Sequence, residues 1–312
     1  MINILGKRYY FFGLSLLLII PGLILLIYMA SSGTLPLAID FTGGTLLEVR
    51  FEATNQPQLA DIIQLYNEMG VTDVKVQTTS SGSYVARSSE LSDEVRGAVV
   101  GALEKRFETK VDVLRFESVG PIIGREVTSR AAQAVAVAAL IVVIYMTFAF
   151  RGIPHAIRYG ICAIIAMIHD IALVFSVTAF GGRFFGWQID SLFLTALLTV
   201  IGFSVQDKIV VFDRVRENTT IYKRLPFETL VNHSIVQTLQ RSINTQLMTV
   251  EFMLLAMALF GGVTLREFAV ILLVGLFSGT YSSIFIAAPV LVAWESREWK
   301  NWFGRNKGEA TA

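Results

Sequence analysis

Six apolar segments of about membrane-spanning length limit the folds that this chain can adopt. A helix needs about 20 mostly apolar residues to cross a bilayer. Only 16% of the residues are charged, against about a quarter in soluble domains. We therefore predict an α-helical membrane protein with six transmembrane helices. The six segments are Phe11–Met29, Ala131–Phe150, Gly160–Phe180, Ile189–Phe212, Leu247–Leu265 and Phe268–Trp294.

The first apolar segment follows two basic residues, Lys7 and Arg8, so a cleaved signal peptide is an alternative interpretation. The segment is longer than the apolar part of a signal peptide, which has about 7 to 15 residues. Pro21 lies inside it, and neighbouring helices make such a proline tolerable in a membrane. We expect an uncleaved anchor.

Basic residues are concentrated in alternate connections between the segments. By the positive-inside rule, these connections and both termini are cytoplasmic, and residues 31–130 are periplasmic. The predicted organisation is an N-terminus with the first span (1–30), an exported domain (31–130), a bundle of the second to sixth spans (131–294) and a cytoplasmic tail (295–312). The basic residues concerned are Arg151, Arg158, Arg214, Arg216, Lys223, Arg224, Arg241, Arg297, Lys300, Arg305 and Lys307.

The exported domain has the pattern of a small soluble fold. Alternating β-branched residues predict strands at Thr45–Phe51, Val74–Thr79, Ser83–Arg87 and Val111–Glu117. Helical spacing of apolar residues predicts one helix that Pro57 opens and Gly70 ends, and a second from about Ser92 to Phe107. The order β-α-β-β-α-β predicts a ferredoxin-like α+β domain between the first two spans. It contains no nucleophile–base pair, so we do not expect an enzyme.

The chain lacks the common sequence signs of a cofactor or nucleic-acid protein. Its three histidines have no metal-ligand spacing, and no nucleotide-binding G-x-x-x-x-G-K-[ST] run occurs. A net charge of +1 gives no indication of nucleic-acid binding. The single cysteine, Cys162, excludes an intramolecular disulfide. We expect no cofactor, no metal and a lipid membrane as the surroundings.

Ionisable residues inside the apolar segments are the candidates for function, because each is costly in a membrane unless it is paired or hydrated. Asp207 lies in the fourth segment, beside a face of polar and small residues formed by Thr195, Thr199, Gly202 and Gln206. Four apolar residues follow Lys208, so we favour a functional Asp207. The alternative is a plain helix end with Lys208 reaching the membrane surface.

His169, Asp170 and Glu251 are the other ionisable residues of this kind. His169 and Asp170 are adjacent, so they project about 100° apart and we expect that they do not face one another. They serve either a proton path or the register of the bundle. Glu251 either shares a hydrated cavity with Asp207 or is bonded within its own helix.

The sixth segment has small residues at four-residue spacing, Gly275, Gly279 and Ser283, with Ser278 and Ser282 beside them. Small residues at this spacing allow two membrane helices to approach closely. We interpret this face as structural.

Three stretches of the sequence are similar to motifs of one family. Asp40-Phe41-Thr42-Gly43-Gly44 resembles a D-F-x-G-G signature, and Val119-Gly120-Pro121 with Gly124 resembles a V-G-P-x-x-G element. The third stretch is Asp213-Arg214-Val215-Arg216-Glu217-Asn218 after the fourth segment. On these motifs the chain resembles the SecD/SecF family of protein-export subunits, within the resistance-nodulation-division superfamily, and the resemblance covers nearly its whole length.

The resemblance implies a function and partners. A SecD-type partner would complete a twelve-helix unit beside the SecYEG channel in the bacterial inner membrane. The pair would use the proton-motive force to finish moving preproteins outward, after the SecA motor. The family's proton-pathway residues match Asp207 and Arg241. We include Gln206, Asp170, His169 and Glu251 as further candidates for the proton pathway, although the resemblance assigns no role to Glu251. Gly43 and Gly44 would form a tight turn.

Two alternatives stay open at this point. The first is a half-unit of a proton-driven exporter of small molecules or lipids from the same superfamily. The second is a non-transporting assembly subunit of the translocon, in which the buried charges serve only helix packing. The second alternative predicts that Asp207→Asn keeps its activity, because asparagine preserves shape and hydrogen bonding.

Overall fold

The protein is mostly helical, with one small antiparallel sheet. A computed structural model describes residues 3–52, 57–71, 73–79, 82–151, 156–244, 252–260 and 263–296. The chain forms two compact units. The membrane unit comprises Met1–Pro36 and Ala134–Ala312, and the sheet unit comprises Leu37–Gln133.

The helices and strands follow one another along the chain in this order: α1 (Arg8–Ser31), α2 (Ile39–Thr42), β1 (Gly44–Phe51), α3 (Leu59–Glu68), β2 (Lys75–Thr78), β3 (Tyr84–Ser88), α4 (Asp93–Phe107), β4 (Val111–Val119), α5 (Pro121–Ala149), α6 (Ala156–Phe184), α7 (Ser191–Ile221), α8 (Phe227–Ser242), α9 (Phe252–Phe260), α10 (Val263–Ser282) and α11 (Ala288–Glu295). A π-helical turn, Ser283–Ala287, joins α10 to α11.

Five helical segments of the described residues are long and apolar enough to cross a membrane. They are Leu5–Ser31, Pro121–Ala149, Ile157–Phe184, Ser191–Ile221 and Leu265–Glu295. The predicted span Leu247–Leu265 lies partly outside the described residues, as does Glu251 within it. The predicted tail 295–312 is described only as far as residue 296.

Close helix packing in the membrane unit depends on small residues. A Cβ atom on Gly275 would lie 2.1 Å from Val200 Cγ2, and one on Gly279 would lie 3.1 Å from Ser204 Cα. The small face of the sixth segment therefore packs against α7, as predicted. Gly22 of α1 has the same role against α6, because its Cβ atom would collide with the hydroxyl of Ser176.

The helix that contains the fourth predicted span is longer than the apolar segment. The apolar segment ends at Phe212, but α7 continues to Ile221. The basic connection after it is also partly helical, because α8 follows after five residues, 222–226. A helix can carry charged residues on a side that is exposed to water, so the change from apolar to charged sequence does not mark the end of this helix.

The sheet unit has the predicted order of strands and helices. The four strands are antiparallel and lie in the spatial order β2-β3-β1-β4. The predicted helix over 92–107 is α4, which begins after Ser92, whose hydroxyl accepts a hydrogen bond from the Val95 N–H. Along β1 the pairing with β4 shifts register between Glu48 and Val49, which is the signature of a β-bulge.

The core of the sheet unit lies between the sheet and the helices α3 and α4. Val99 and Leu103 of α4 are fully buried against it. Tyr66 of α3 is also buried, and its hydroxyl has no hydrogen-bond partner among the described residues. Burial raises the pKa of Tyr66 well above its ordinary value, because the phenolate would lose its hydration.

We expect Tyr66→Phe to leave the stability of the sheet unit unchanged or to raise it, because it removes an unpaired buried hydroxyl. The matched control is Tyr84→Phe. The Tyr84 hydroxyl donates a hydrogen bond of 2.8 Å to the Pro57 carbonyl, so its loss should cost about 0.5–1.5 kcal/mol. Hydrogen exchange of the strand amides in the full-length protein measures both changes. Equal losses for the two variants would contradict this interpretation of Tyr66.

The same tyrosine gives a pH dependence with a definite sign. Its pKa is higher in the folded than in the unfolded protein, so its contribution to stability is present below the unfolded pKa of about 10 and falls as the pH rises above it. Above about pH 10, the melting temperature of the full-length wild type should therefore fall more steeply with pH than that of Tyr66→Phe.

Candidate functional site

The D-F-x-G-G stretch forms the one-turn helix α2 and the start of β1. Gly43 has φ +71° and Gly44 has φ +119°, conformations that residues with a Cβ atom rarely adopt. A Cβ atom on Gly44 would lie 2.5 Å from the Ser88 carbonyl oxygen. Both glycines are therefore required by backbone geometry, as the predicted tight turn implies. The first residue of the motif, Asp40, lies in the only turn of α2.

The second stretch, Gly120-Pro121 with Gly124, begins α5 and lies directly against the first. A Cβ atom on Gly43 would be 2.9 Å from Pro121 Cα, and one on Gly124 would be 2.6 Å from the Gly43 nitrogen. The Thr128 hydroxyl of α5 also donates to the Phe41 carbonyl, at 3.1 Å. Two motifs that are separated by about eighty residues in sequence thus form one close backbone contact within the sheet unit.

The third stretch lies on the extension of α7. Its charged residues are exposed and pair one turn apart: Asp213 with Arg216 and Arg214 with Glu217. Asn218 is different, because it is buried and its amide nitrogen donates to Ser234 Oγ at 2.8 Å and to Gln237 Oε1 at 3.0 Å. The asparagine therefore joins α7 to α8.

Asp170 of α6 lies at the centre of the largest polar cluster that the structure describes in the membrane unit. Its Oδ2 atom accepts hydrogen bonds from Lys208 Nζ at 2.8 Å, Ser204 Oγ at 2.6 Å and Ser282 Oγ at 2.7 Å. Its Oδ1 atom accepts from Ser278 Oγ at 2.6 Å. The side chains of Asp170 and Lys208 are 1% and 0% exposed, so this is a buried ion pair with all its hydrogen bonds made inside the protein.

This cluster corrects three expectations. Lys208 does not reach the membrane surface, because the Asp170 carboxylate compensates its charge in the interior. His169 does contact Asp170, through Nδ1 and Oδ1 at 3.1 Å; although successive residues project about 100° apart, the two side chains bend towards each other. Ser278 and Ser282 are not only packing residues, since both donate to Asp170.

Asp207, the residue before Lys208 in α7, is also buried but has different partners. Its Oδ1 atom accepts a hydrogen bond from Ser242 at the end of α8, and its Oδ2 atom accepts one from Ser283 at the start of the π-helical turn, both at 3.1 Å. None of the ion pairs formed by the described residues includes Asp207. Its partners are neutral hydroxyl groups, which can either donate or accept.

The remaining sequence-predicted site residues lie apart from Asp207. Gln206 is exposed, and so are Thr195 and Gly202 of the same face, so the polar face of α7 points away from the carboxylate. The Arg241 side chain is exposed too, while its neighbour Ser242 contacts Asp207. His169 lies in the Asp170 cluster, and Glu251 is outside the described residues.

One lysine and five hydroxyl groups surround the two carboxylates, and this role was not predicted for any of them: Ser204, Lys208, Ser242, Ser278, Ser282 and Ser283. A signal for part of this set was present. Ser204 and Lys208 are four residues apart, as are Ser278 and Ser282, which puts each pair on one helix face. Nothing in the sequence indicates that both faces meet at Asp170.

Two family models match the chain. One is described as the C-terminal region of the protein export membrane proteins SecD/SecF and matches residues 99–297, well over half of the chain. The other is the SecD/SecF GG motif and matches residues 34–54, which include Gly43 and Gly44. The chain belongs to the SecD/SecF family. Its members are subunits of protein-transport machinery, and no catalytic activity is indicated for them.

Similar proteins agree with this family. The chain is 64% identical to the protein translocase subunit SecF of Anaerolinea thermophila over the full length of both. It is 37% identical to the SecDF subunit of Thermus thermophilus, over 83% of this chain and 34% of that one. A crystal structure of SecDF, a translocon-associated membrane protein from Thermus thermophilus, matches with a TM-score of 0.81 and 34% identity.

The SecDF match also bears on the partner. It covers 95% of this chain but only 39% of the SecDF chain, so the fused relative contains a larger remainder in addition to the matched part. That relative therefore carries the matched part and further sequence in one chain named SecDF, which supports a partnership with SecD. A second structure, SecDF in a super-membrane-facing form, matches with a TM-score of 0.65 over 96% of this chain.

Substitution of the motif glycines should disrupt the sheet unit. We expect Gly44→Ala to cost about 1–3 kcal/mol from its backbone conformation alone, and more from the contact with Ser88. Gly124→Ala should also be destabilising, because its new methyl group would press on the Gly43 backbone. The control is Gly97→Ala in α4, where a Cβ atom meets nothing within 4 Å and which should gain up to about 1 kcal/mol.

Hydrogen exchange of β1 and β4 amides in the full-length protein provides the measurement. If Gly44→Ala and Gly124→Ala exchanged like Gly97→Ala, the motif contact would not be needed for the stability of the sheet unit.

Proposed function

We propose that this protein is the SecF-type subunit of the bacterial protein-export machinery, and that with SecD it uses the proton-motive force to drive late steps of preprotein translocation. The names of its relatives support the assignment to Sec translocation. The observation that carries the proton mechanism is the contrast between the two buried carboxylates of the membrane unit.

Asp170 is unsuited to exchange a proton during a transport cycle. It faces an ammonium group, which can only donate hydrogen bonds, and three serine hydroxyls besides. Protonation would leave the Lys208 charge buried without compensation, and an uncompensated buried charge of this kind costs about 3–5 kcal/mol. Asp170 is therefore a fixed charge.

Asp207 is suited to both protonation states. When it is ionised, Ser242 and Ser283 donate to it. When it is protonated, it can donate to Ser283, because the Ser283 hydroxyl has a second acceptor in the Thr280 carbonyl at 2.8 Å. A group that carries protons has to satisfy its hydrogen bonds in each state, and Asp207 does so by rotation of one hydroxyl.

Arg241 enters this mechanism through its position next to Ser242 on the last turn of α8. Adjacent residues of a helix are about 100° apart, so a rotation of this turn would exchange the Ser242 hydroxyl for the Arg241 guanidinium beside Asp207. The guanidinium would stabilise the ionised form, and the hydroxyl would serve the neutral one. Each proton that crosses the membrane releases about 2.3 kcal/mol per 100 mV.

The proposed topology follows the charge distribution. Six spans, with Leu247–Leu265 as the fifth, bring both termini to the cytoplasm and the sheet unit to the periplasm of a bacterial inner membrane. The strand order β2-β3-β1-β4 with two helices supports a ferredoxin-like exported domain. The domains would be 1–30, 31–130, 131–294 and 295–312. The partners would be SecD, the SecYEG channel with SecA, and the preprotein.

Export from reconstituted vesicles tests the role of Asp207. The vesicles contain this chain, SecD, SecYEG and a preprotein stalled after the SecA-driven step, and export is followed with and without an imposed proton gradient. Asp207→Asn should assemble with SecD but lose the response to the gradient. The control is Thr199→Val in the same helix. Among the described residues the Thr199 hydroxyl bonds only to the Thr195 carbonyl, so this variant should respond like the wild type.

A wild-type response in Asp207→Asn would reject the proton role of Asp207. In that case the buried carboxylates hold the bundle together, and the assembly subunit without transport would become the better account.

A further inference from the structure

The hydrogen-bond partners of the Lys208 ammonium group among the described residues are all oxygen atoms, which form a shell around it. Its Nζ atom contacts Asp170 Oδ2 at 2.8 Å, Ser282 Oγ at 2.9 Å, the Ser204 carbonyl at 3.1 Å and Ser204 Oγ. The residue is 0% exposed. The shell thus consists of one carboxylate oxygen, one backbone carbonyl and two hydroxyls, supplied by α6, α7 and α10.

These are the ligands that bind hard metal cations in proteins, which prefer carboxylate, carbonyl and hydroxyl or water oxygens. The shell carries one negative charge, which matches a monovalent ion. We propose that Asp170, Ser204 and Ser282 form a monovalent-cation site inside the membrane unit, and that the Lys208 ammonium is its permanent occupant. The lysine side chain then acts as a cation tethered to α7.

A tethered cation differs from a free one in that it cannot leave. Sodium or another small cation bound at such a shell would exchange with the solution and would respond to ion gradients. The covalent stem of Lys208 prevents this exchange, so the charge of Asp170 stays compensated at every stage of a cycle. The inference rests on the proposed function, in which Asp170 keeps its charge and Asp207 is the carboxylate that exchanges a proton.

The occupied shell also positions the neighbour of Asp207. Ser282 is a ligand of the ammonium, and the next residue, Ser283, donates to Asp207. The helix changes from α to π at this point, and short π segments are frequent at functional sites. Lys208 is therefore a positioning residue for Asp207, acting through two consecutive serines.

Replacement of the tethered ion by a free one tests the site. Lys208→Ala removes three methylene groups and the ammonium, which together correspond to propylammonium. We expect a lower Tm of the full-length protein in lipid nanodiscs, and a saturable recovery of most of this loss with propylammonium chloride or sodium chloride. Choline chloride, whose cation is too bulky for the shell, controls for ionic strength. The wild type should not respond to the choice of cation.

Folded Lys208→Ala that responds equally to sodium, propylammonium and choline would overturn the proposal. If Lys208→Ala does not accumulate, a second pair of variants decides. Lys208→Met leaves the Asp170 charge without its ion and should accumulate poorly, whereas Asp170→Asn/Lys208→Met removes both charges and should recover. Wild-type accumulation of Lys208→Met would show that the shell needs no cation.

Conservative replacement separates positioning from packing in the same export assay. Lys208→Arg keeps the positive charge, but the guanidinium is too large for the shell. This variant should therefore reduce gradient-driven export. None of the Tm measurements requires SecD, a gradient or a preprotein. Failure of the cation site would therefore leave the Asp207→Asn result intact, and failure of the proton mechanism would leave the Tm results intact.

Discussion

Hydrocarbon offers no hydrogen bonds, so the charged groups of the membrane unit have to be compensated by the protein itself. The Asp170–Lys208 ion pair meets this requirement, and much of the surrounding structure follows from it. Its shell draws ligands from α6, α7 and α10. The glycines of α10 allow the approach to α7 that such short contacts need. Electrostatics and packing therefore reinforce one another at the same helix crossing.

The two buried aspartates have opposite properties because their partners differ. Asp170 has an ammonium and hydroxyl groups around it, and the proposed mechanism therefore treats it as a fixed charge. Asp207 has two hydroxyl groups, from the end of α8 and from the π-helical turn. In the mechanism proposed above, Asp170 is the fixed charge and Asp207 is the carboxylate that exchanges a proton.

The sheet unit depends on a different constraint, which is steric. Gly43 and Gly124 come from distant parts of the chain. A Cβ atom on Gly124 would collide with the Gly43 backbone, and one on Gly43 would collide with the backbone of Pro121. The spacing of apolar residues predicted the strands and helices of this unit to within a few residues, because local periodicity is set by which face is buried. The contact between the two glycine motifs was not predictable, since nothing local records which distant backbone approaches.

The sequence by itself determined that the chain is a membrane protein, the approximate positions of its apolar segments and the family that it resembles, because the length of an apolar segment and a short motif are both local properties. It also identified Asp207 and Asp170 as costly residues that need a partner. Only the tertiary structure decided what those partners are. Lys208 is adjacent to Asp207 in sequence yet pairs with Asp170 of another helix, because the direction of a side chain and the packing of three helices determine which charges meet.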